Sequence, residues 1–447
     1  MGRSKGDTNW NFSVNLWDIA FITLGLSIIS RETVIPVLVS QLTDSKLAIG
    51  LVPALWSLGF YLPQLLTANW AESMPYKKPF VMIISSLCER LPYFLIGIIV
   101  LFFALSAPSA ALIAILAGVA LSSSGAGLAT PAWLDMIAKV IPVRRRGIWF
   151  GLGHGLGQLM GVAGAYFVGQ ILVSRAFPTN YALLFFLAFT IMMISWGGLA
   201  LTREPISEVT KKAAPLLHYL RRIKRVLKQD ANYRRYLISK SVVNLGGMSA
   251  GFFAVFGTEM FSLDGRGVGL LTAVLVGTQA VLNPTSGLLA DRVGHKKVLA
   301  AAAFFVVLAP LSALVYGGTG AAGPEGTALA SPFVLGTAPI GLLLTFVFLG
   351  TYLAADHTSS LPIILEFSPP EDRPTYVGLT NTVLAPLLIG APILGGWLAG
   401  AAGYLVMFSA ALVVGTVGLI LMVFWVREPR RTTPQRVEED QPVRNAP

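Results

Sequence analysis

The chain has 447 residues, of which 54% are hydrophobic and only 12% charged, and its mean hydropathy is +0.69. Soluble domains carry about a quarter of their residues as charges, so this composition excludes a water-soluble enzyme or binding module and implies a polytopic membrane protein. A formal net charge of +11 would suit nucleic acid, but the basic residues come in short clusters between apolar runs, the pattern of loops that face anionic lipid.

Segment 1–15 is polar and basic and reads as a cytoplasmic tail, and the apolar run after it lacks a small-residue cleavage site, so that run reads as a retained first helix and not a cleaved signal. Crossing a hydrocarbon core of roughly 30 Å takes about 20 apolar residues. Twelve stretches qualify: 16–41, 48–69, 79–105, 110–137, 147–174, 181–201, 236–261, 267–290, 298–316, 332–365, 375–400 and 404–426. They are called spans 1 to 12 below. Lys and Arg concentrate in the N-terminal tail, at Lys77 and Lys78, at Arg144 to Arg146, between spans 6 and 7, at Arg292 to Lys297, at Arg373 and from Arg427 onward. The alternate loops hold little beyond Lys46, Arg175 and Arg266. Positive charge stays inside, so both termini are expected in the cytoplasm of a cell-membrane protein.

The chain repeats itself. Span 6 ends in Arg203-Glu204-Pro205 and span 12 in Arg427-Glu428-Pro429, 224 positions later. Pro142 to Leu152, between spans 4 and 5, pairs with Pro369 to Leu379, between spans 10 and 11. Ala71-Glu72 through Lys77-Lys78, after span 2, is a degraded copy of Ala290-Asp291 onward, after span 8. Three markers in one order at nearly one offset make a six-plus-six duplication. The domain reading is a tail 1–15, a six-helix bundle 16–203, a linker 204–235, a second bundle 236–427 and a disordered tail 428–447. The linker sets Lys211, Lys212, Arg221, Arg222, Lys224, Arg225 and Lys228 around leucines at helical spacing, an amphipathic tether on the inner membrane surface. Segment 317–327, rich in Gly and Ala, reads as an outer loop.

The loop after span 8, Gly287-Leu288-Leu289-Ala290-Asp291-Arg292-Val293-Gly294-His295-Lys296, resembles the signature hairpin of the major facilitator superfamily of secondary transporters. Glycines permit a tight turn and close helix approach, Asp291 can face a helix N-terminus, and the cations hold the turn in the cytoplasm. His295 stands where the family has a basic residue. The resemblance implies an all-α protein of twelve transmembrane helices in two pseudo-symmetric bundles. It also implies alternating access around a midplane site, and a cytoplasmic gate built from Gly287, Asp291, Arg292, Gly294, Lys296, Glu72 and Lys77. By the duplication, Asp291 is expected near Gly147 and Glu72 near Thr375 in an outward-open state.

Polar groups in a bilayer are costly and face a cavity or each other. Arg31 and Glu32 fall mid-span in span 1; as helical neighbours about 100° apart they are expected not to neutralise each other. Glu89 and Arg90 in span 3 read as a structural ion pair. His154 and Gln158 share one face of span 5, and Asp356 and His357 sit in the inner half of span 10, with protonation chemistry suited to coupling. The family resemblance places spans 1, 4, 7 and 10 along the path, which promotes Arg31, Glu32, Asp356 and His357. Asn244, Gln279, Asn283 and Asn381 are further pathway candidates and equally good interhelical glue. Asn283-Pro284 is expected to interrupt span 8, and the glycines of span 5 suit either sliding or close packing.

The reading is a secondary active transporter of a small molecule, coupled to a proton or other ion gradient, without cofactor, metal or nucleic acid, monomeric and surrounded by lipid. The lone Cys88 forbids an intrachain disulfide, and the four histidines lack ligand spacing. Span 4 has no arginine and span 5 no Gly-Pro pair, which departs from the drug/proton antiporters of the family. The alternatives are a facilitated-diffusion uniporter and a non-transporting receptor. A hydrolase built on Asp356, His357 and Ser359 is set aside because they crowd one helical turn. Arg31 and Arg90 allow an organic anion as substrate, and the apolar path allows a lipophilic drug.

Overall fold

The computed structural model describes residues 5–206, 226–320, 334–335, 338–369 and 373–429. The linker core, the rest of the outer loop and the C-terminal tail lie outside these, as do the side chains of Glu72, Arg373 and Thr375. Among the described residues, eleven helices are long and apolar enough to span a membrane. The last, Tyr376–Trp425, is 50 residues long and is two spans: Gly403, at φ +83° and ψ 171°, is non-helical and turns the chain between them. A side chain rarely adopts that conformation. The twelve-helix count therefore holds.

Each half is closed by the same two devices. Asn11 Nδ2 donates to Arg203 O at 3.0 Å while Arg203 N donates to Asn11 Oδ1 at 2.8 Å. In the second half Asn232 Nδ2 donates to Arg427 O at 3.0 Å and Arg427 N to Asn232 Oδ1 at 2.9 Å. An amide side chain thus ties the first helix of each half to the end of the last. The glutamate that follows the arginine then reaches the loop before the third helix. Glu204 accepts from Lys77 N at 2.9 Å and Lys78 N at 2.7 Å, and Lys139 Nζ lies 3.0 Å from it. The Glu428 carboxylate packs against Gly294, whose φ of +98° ends the span 8 helix. Lys296 Nζ donates to Val423 O at 2.8 Å, and His295 Nε2 lies 3.8 Å from Glu366 Oε1. The hairpin and the Arg-Glu-Pro stop are therefore one structural unit.

Several elements depart from the sequence reading. The first helix begins at Lys5, so most of segment 1–15 is helix held by its contacts to span 6 and not a free tail. Span 1 is broken: helix Lys5–Ile28 gives way before helix Val34–Leu42. Span 7 is broken at the equivalent depth, where Ala231–Gly246 passes through a 3₁₀ turn, Gly247–Ser249, to Phe253–Phe261. Pro284, by contrast, does not interrupt span 8, which runs unbroken over Gly265–Val293. A proline removes one backbone bond, and packed neighbours hold the rest of the helix. Span 9 continues to Gly320, into the stretch read as outer loop.

The halves touch mainly at the end of the bundle opposite the termini. There Lys46 Nζ contacts both Glu259 oxygens at 2.5 and 2.6 Å, Tyr404 Oη donates to Glu259 Oε2 at 3.1 Å, and Gly169 and Gly269 bring spans 5 and 8 together: a Cβ on Gly269 would lie 2.7 Å from Gly169 Cα. At the other end, nothing lies within 4 Å of where a Cβ would stand on Gly147, Gly151 or Gly287. The bundle is closed at one end and open on the side of the termini. Asp291 is exposed in the last turn of the span 8 helix, at the end of the bundle on the side of the termini. Gly153, Gly157, Gly161 and Gly164 of span 5 pack on Ile19, Thr23, Ser27 and Leu24 of span 1. Those glycines serve packing within the first half, and Gly161 also faces Val276 of span 8 in the second.

Candidate functional site

Breaking span 1 exposes backbone that a membrane helix would bury, which is tolerated where it lines a cavity. Arg31 and Glu32 sit in that break, and there they do pair: Arg31 Nε lies 2.5 Å from Glu32 Oε1. The expectation that they point apart fails because the 100° rule applies only to helix, and these residues occupy a turn. Ser30 Oγ donates to Glu32 Oε2 at 3.3 Å and accepts from Glu32 N at 3.2 Å, which fixes the carboxylate. The Arg31 guanidinium lies over Trp56 of span 2, 3.7 Å from the ring centroid, a cation–π contact. Its charge acts on Tyr352 and His357 of span 10, in the opposite half, so this residue faces the space between the halves.

Across that space Asp356 pairs with Lys240 of span 7. The lysine side chain is 4% exposed and the aspartate 25%, so the pair is rooted in protein on one side and wet on the other. Lys240 escaped the sequence reading because Ser239-Lys240-Ser241 follows the basic run at Arg234 and Arg235 and looks like its end. His357 is exposed beside the pair. Its ring lies 5.8 Å from that of His154 and 6.2 Å from Phe150 of span 5. His154 Nδ1 is 3.3 Å from Thr23 Oγ1.

Gln158 turns to the second half. Its Nε2 donates to Gln279 Oε1 at 3.3 Å, and Asn283 Nδ2 donates to its Oε1 at 3.0 Å. Three pathway candidates thus form one polar clasp between spans 5 and 8. Asn244 is buried, and its carbonyl accepts from Gly247 N at the break in span 7. Asn381 joins no side-chain hydrogen bond among the described residues, and Ser359 Oγ is buried without one, so Ser359 is not a nucleophile aimed by His357.

Glu89 and Arg90 belong to a separate cluster, buried at Arg90 and with Glu89 19% exposed. Arg90 sits in a π-helical turn, Ser85–Arg90, with its side chain 3% exposed. Its Nη1 donates to Glu89 Oε2 at 2.9 Å and to Ser85 O at 3.1 Å, Nε to Met192 O at 2.9 Å and Nη2 to Ser195 Oγ at 3.1 Å. Asp18, which the sequence reading passed over, accepts from Ser195 Oγ at 2.6 Å and lies 3.7 Å from Arg90. The donors of Arg90 are thus spent within the first half. No group of His, Cys, Asp and Glu suited to a metal occurs among the described residues.

The sequence model of the Major Facilitator Superfamily matches residues 241–446. That match covers the second half of the chain, from span 7 onward. Solved structures show the same fold over nearly the whole length. The nucleoside transporter NupG superposes with a TM-score of 0.61 at 14% identity, covering 92% of this chain and 97% of its own. A bacterial homologue of the human lysosomal transporter Spinster, inward-facing and unoccupied, gives 0.60 at 13%, covering 96% and 97%. A POT family transporter in complex with 5-aminolevulinic acid gives 0.65 at 11%, covering 97% and 98%. No curated protein sequence matches the chain. The chain is an integral multi-pass membrane protein with the fold of these transporters.

Proposed function

We propose that this transporter moves a small molecule across the cell membrane by alternating access, coupled to protons, with both termini in the cytoplasm. On that orientation the described state is inward-open, and Gly287 and Gly147, with open space where a Cβ would stand, are the surfaces that meet when the cytoplasmic end closes. The Lys46, Glu259 and Tyr404 contacts are then the outer gate. The two bundles act as the moving bodies, joined by the 204–235 tether, and the monomer is the working unit.

The observation that carries the coupling is the Lys240–Asp356 pair: a buried lysine whose carboxylate partner opens on the cavity. A carboxylate so placed takes a proton from the cavity, and the neutral acid releases the lysine, which alters the charge holding spans 7 and 10 together. His357 beside it is a second group able to relay protons. The test is solute uptake into proteoliposomes under an imposed pH gradient. Uptake driven by the gradient in the parent, and reduced in Asp356→Asn to the level seen without a gradient, supports the reading. Gradient-independent uptake in the parent makes it a uniporter; saturable binding with no uptake makes it a receptor.

A further inference from the structure

We infer that the substrate is an organic monocarboxylate with a flat apolar body, its carboxylate held by the Nη1 and Nη2 ends of Arg31. The inference deepens the transporter reading above and rests on it. Arg31 uses only Nε, on Glu32. Among the described residues no group accepts from Nη1 or Nη2, although the side chain is only 34% exposed and lies mid-span. A guanidinium has five donors in a rigid fork that matches a carboxylate through two parallel bonds. Glu32 and Trp56 hold that fork from one edge and one face, so its free edge is fixed in place before the ligand arrives.

The neighbours define the rest of the ligand. Trp56 stacks with Phe60 at 5.1 Å, and Phe60 meets Tyr61 edge-on at 5.3 Å. Tyr93 and Tyr352 are buried, so the aromatic surface beside the cation is that of span 2, Trp56, Phe60 and Tyr61, which suits a planar apolar body. Charge count selects a monoanion. With Asp356 ionised and holding Lys240, and the donors of Arg90 taken by its own cluster, a dianionic phosphate would find one fork and no second free cation among these groups, and the single proton that frees Lys240 balances only one negative charge. Arg31 with Glu32, and Lys240 with Asp356, are each neutral pairs. A bound carboxylate adds one negative charge, which the proton assigned to Asp356 balances.

The experiment uses three probes of one shape: benzoate, benzamide and benzylamine. Binding to purified full-length protein is followed by thermal unfolding and by titration calorimetry in two buffers of different ionisation enthalpy, which counts protons. The expected result is stabilisation by benzoate alone, with about one proton taken up per anion. Arg31→Ala should weaken benzoate binding by about a hundredfold, and Arg31→Lys, which keeps the charge without the fork, by about tenfold. Benzoate binding that survives in Arg31→Ala overturns the inference, and so does a parent protein that unfolds cooperatively yet binds benzamide or benzylamine and not benzoate. If such a neutral or cationic ligand is then driven by the pH gradient in proteoliposomes, the transporter reading stands and only the substrate class falls. Arg31-dependent benzoate binding with no gradient-driven uptake of any solute leaves the carboxylate site standing and removes the coupling.

Discussion

The two halves bury charge at matching depth and put it to different uses. In the first half Arg90 and Asp18 are only 3% and 6% exposed, with Glu89 at 19%, and the Arg90 donors go to Glu89, Ser85, Met192 and Ser195. In the second, Lys240 is equally buried but its side chain donates to Asp356 alone among the described residues, and that carboxylate is 25% exposed. The duplication supplied one scaffold with one set of end clamps. What differs is how many partners hold the cation: a guanidinium tied to four groups specifies packing, and a lysine held by one carboxylate is a pair that a single proton can open.

The sharpest way to break that comparison is Arg90→Ala. Removing the centre of that buried network strands Asp18 and Glu89, and it should lower stability by about 3 kcal/mol or more, read as a fall in the unfolding temperature in detergent. A variant as stable as the parent would show that the network is not a strut. The end clamps come next. Asn11→Ala and Asn232→Ala each remove one paired set of backbone bonds and should each cost about 1–2 kcal/mol. Equal shifts in the same unfolding measurement would show that the duplicated clamps do duplicated work; a difference beyond about 1 kcal/mol would show that the halves diverged even there. The smallest stability effect belongs to the open pair. Replacing both charges, Lys240→Met with Asp356→Leu, should hold stability within about 1 kcal/mol while gradient-driven uptake disappears. If stability collapses instead, the pair is a strut like its counterpart.

The twelve spans and the duplication were legible because membrane helices announce themselves by length and apolarity, and because boundary residues such as Arg203, Glu204, Gly294 and Lys296 are fixed by turn and cap geometry. The break in span 1 was not. Segment 29–33 reads Ile-Ser-Arg-Glu-Thr, without glycine or proline; the break is held by the local Ser30 and Arg31 contacts to Glu32, by Pro36 in the first turn of the next helix and by a tertiary contact, Thr33 Oγ1 to Thr272 Oγ1 at 2.7 Å. Span 7 did carry a signal, Gly246, Gly247 and Gly251 around its own break. Asp18 and Lys240 were hidden by position, since each follows a polar or basic run and reads as its last member. The clasp of Gln158, Gln279 and Asn283 joins residues more than 100 positions apart, and spacing alone does not reveal such a pairing.

The clamps at the two ends have a bearing on how the chain is made. Asn11 with Arg203, and Asn232 with Arg427, each fasten the first and last helix of a half to each other and to nothing beyond it. The N-terminal bundle can therefore be locked shut in the bilayer while the ribosome is still translating its sibling. Biogenesis is divided into two shorter assembly problems, each checked by its own asparagine before the pair docks.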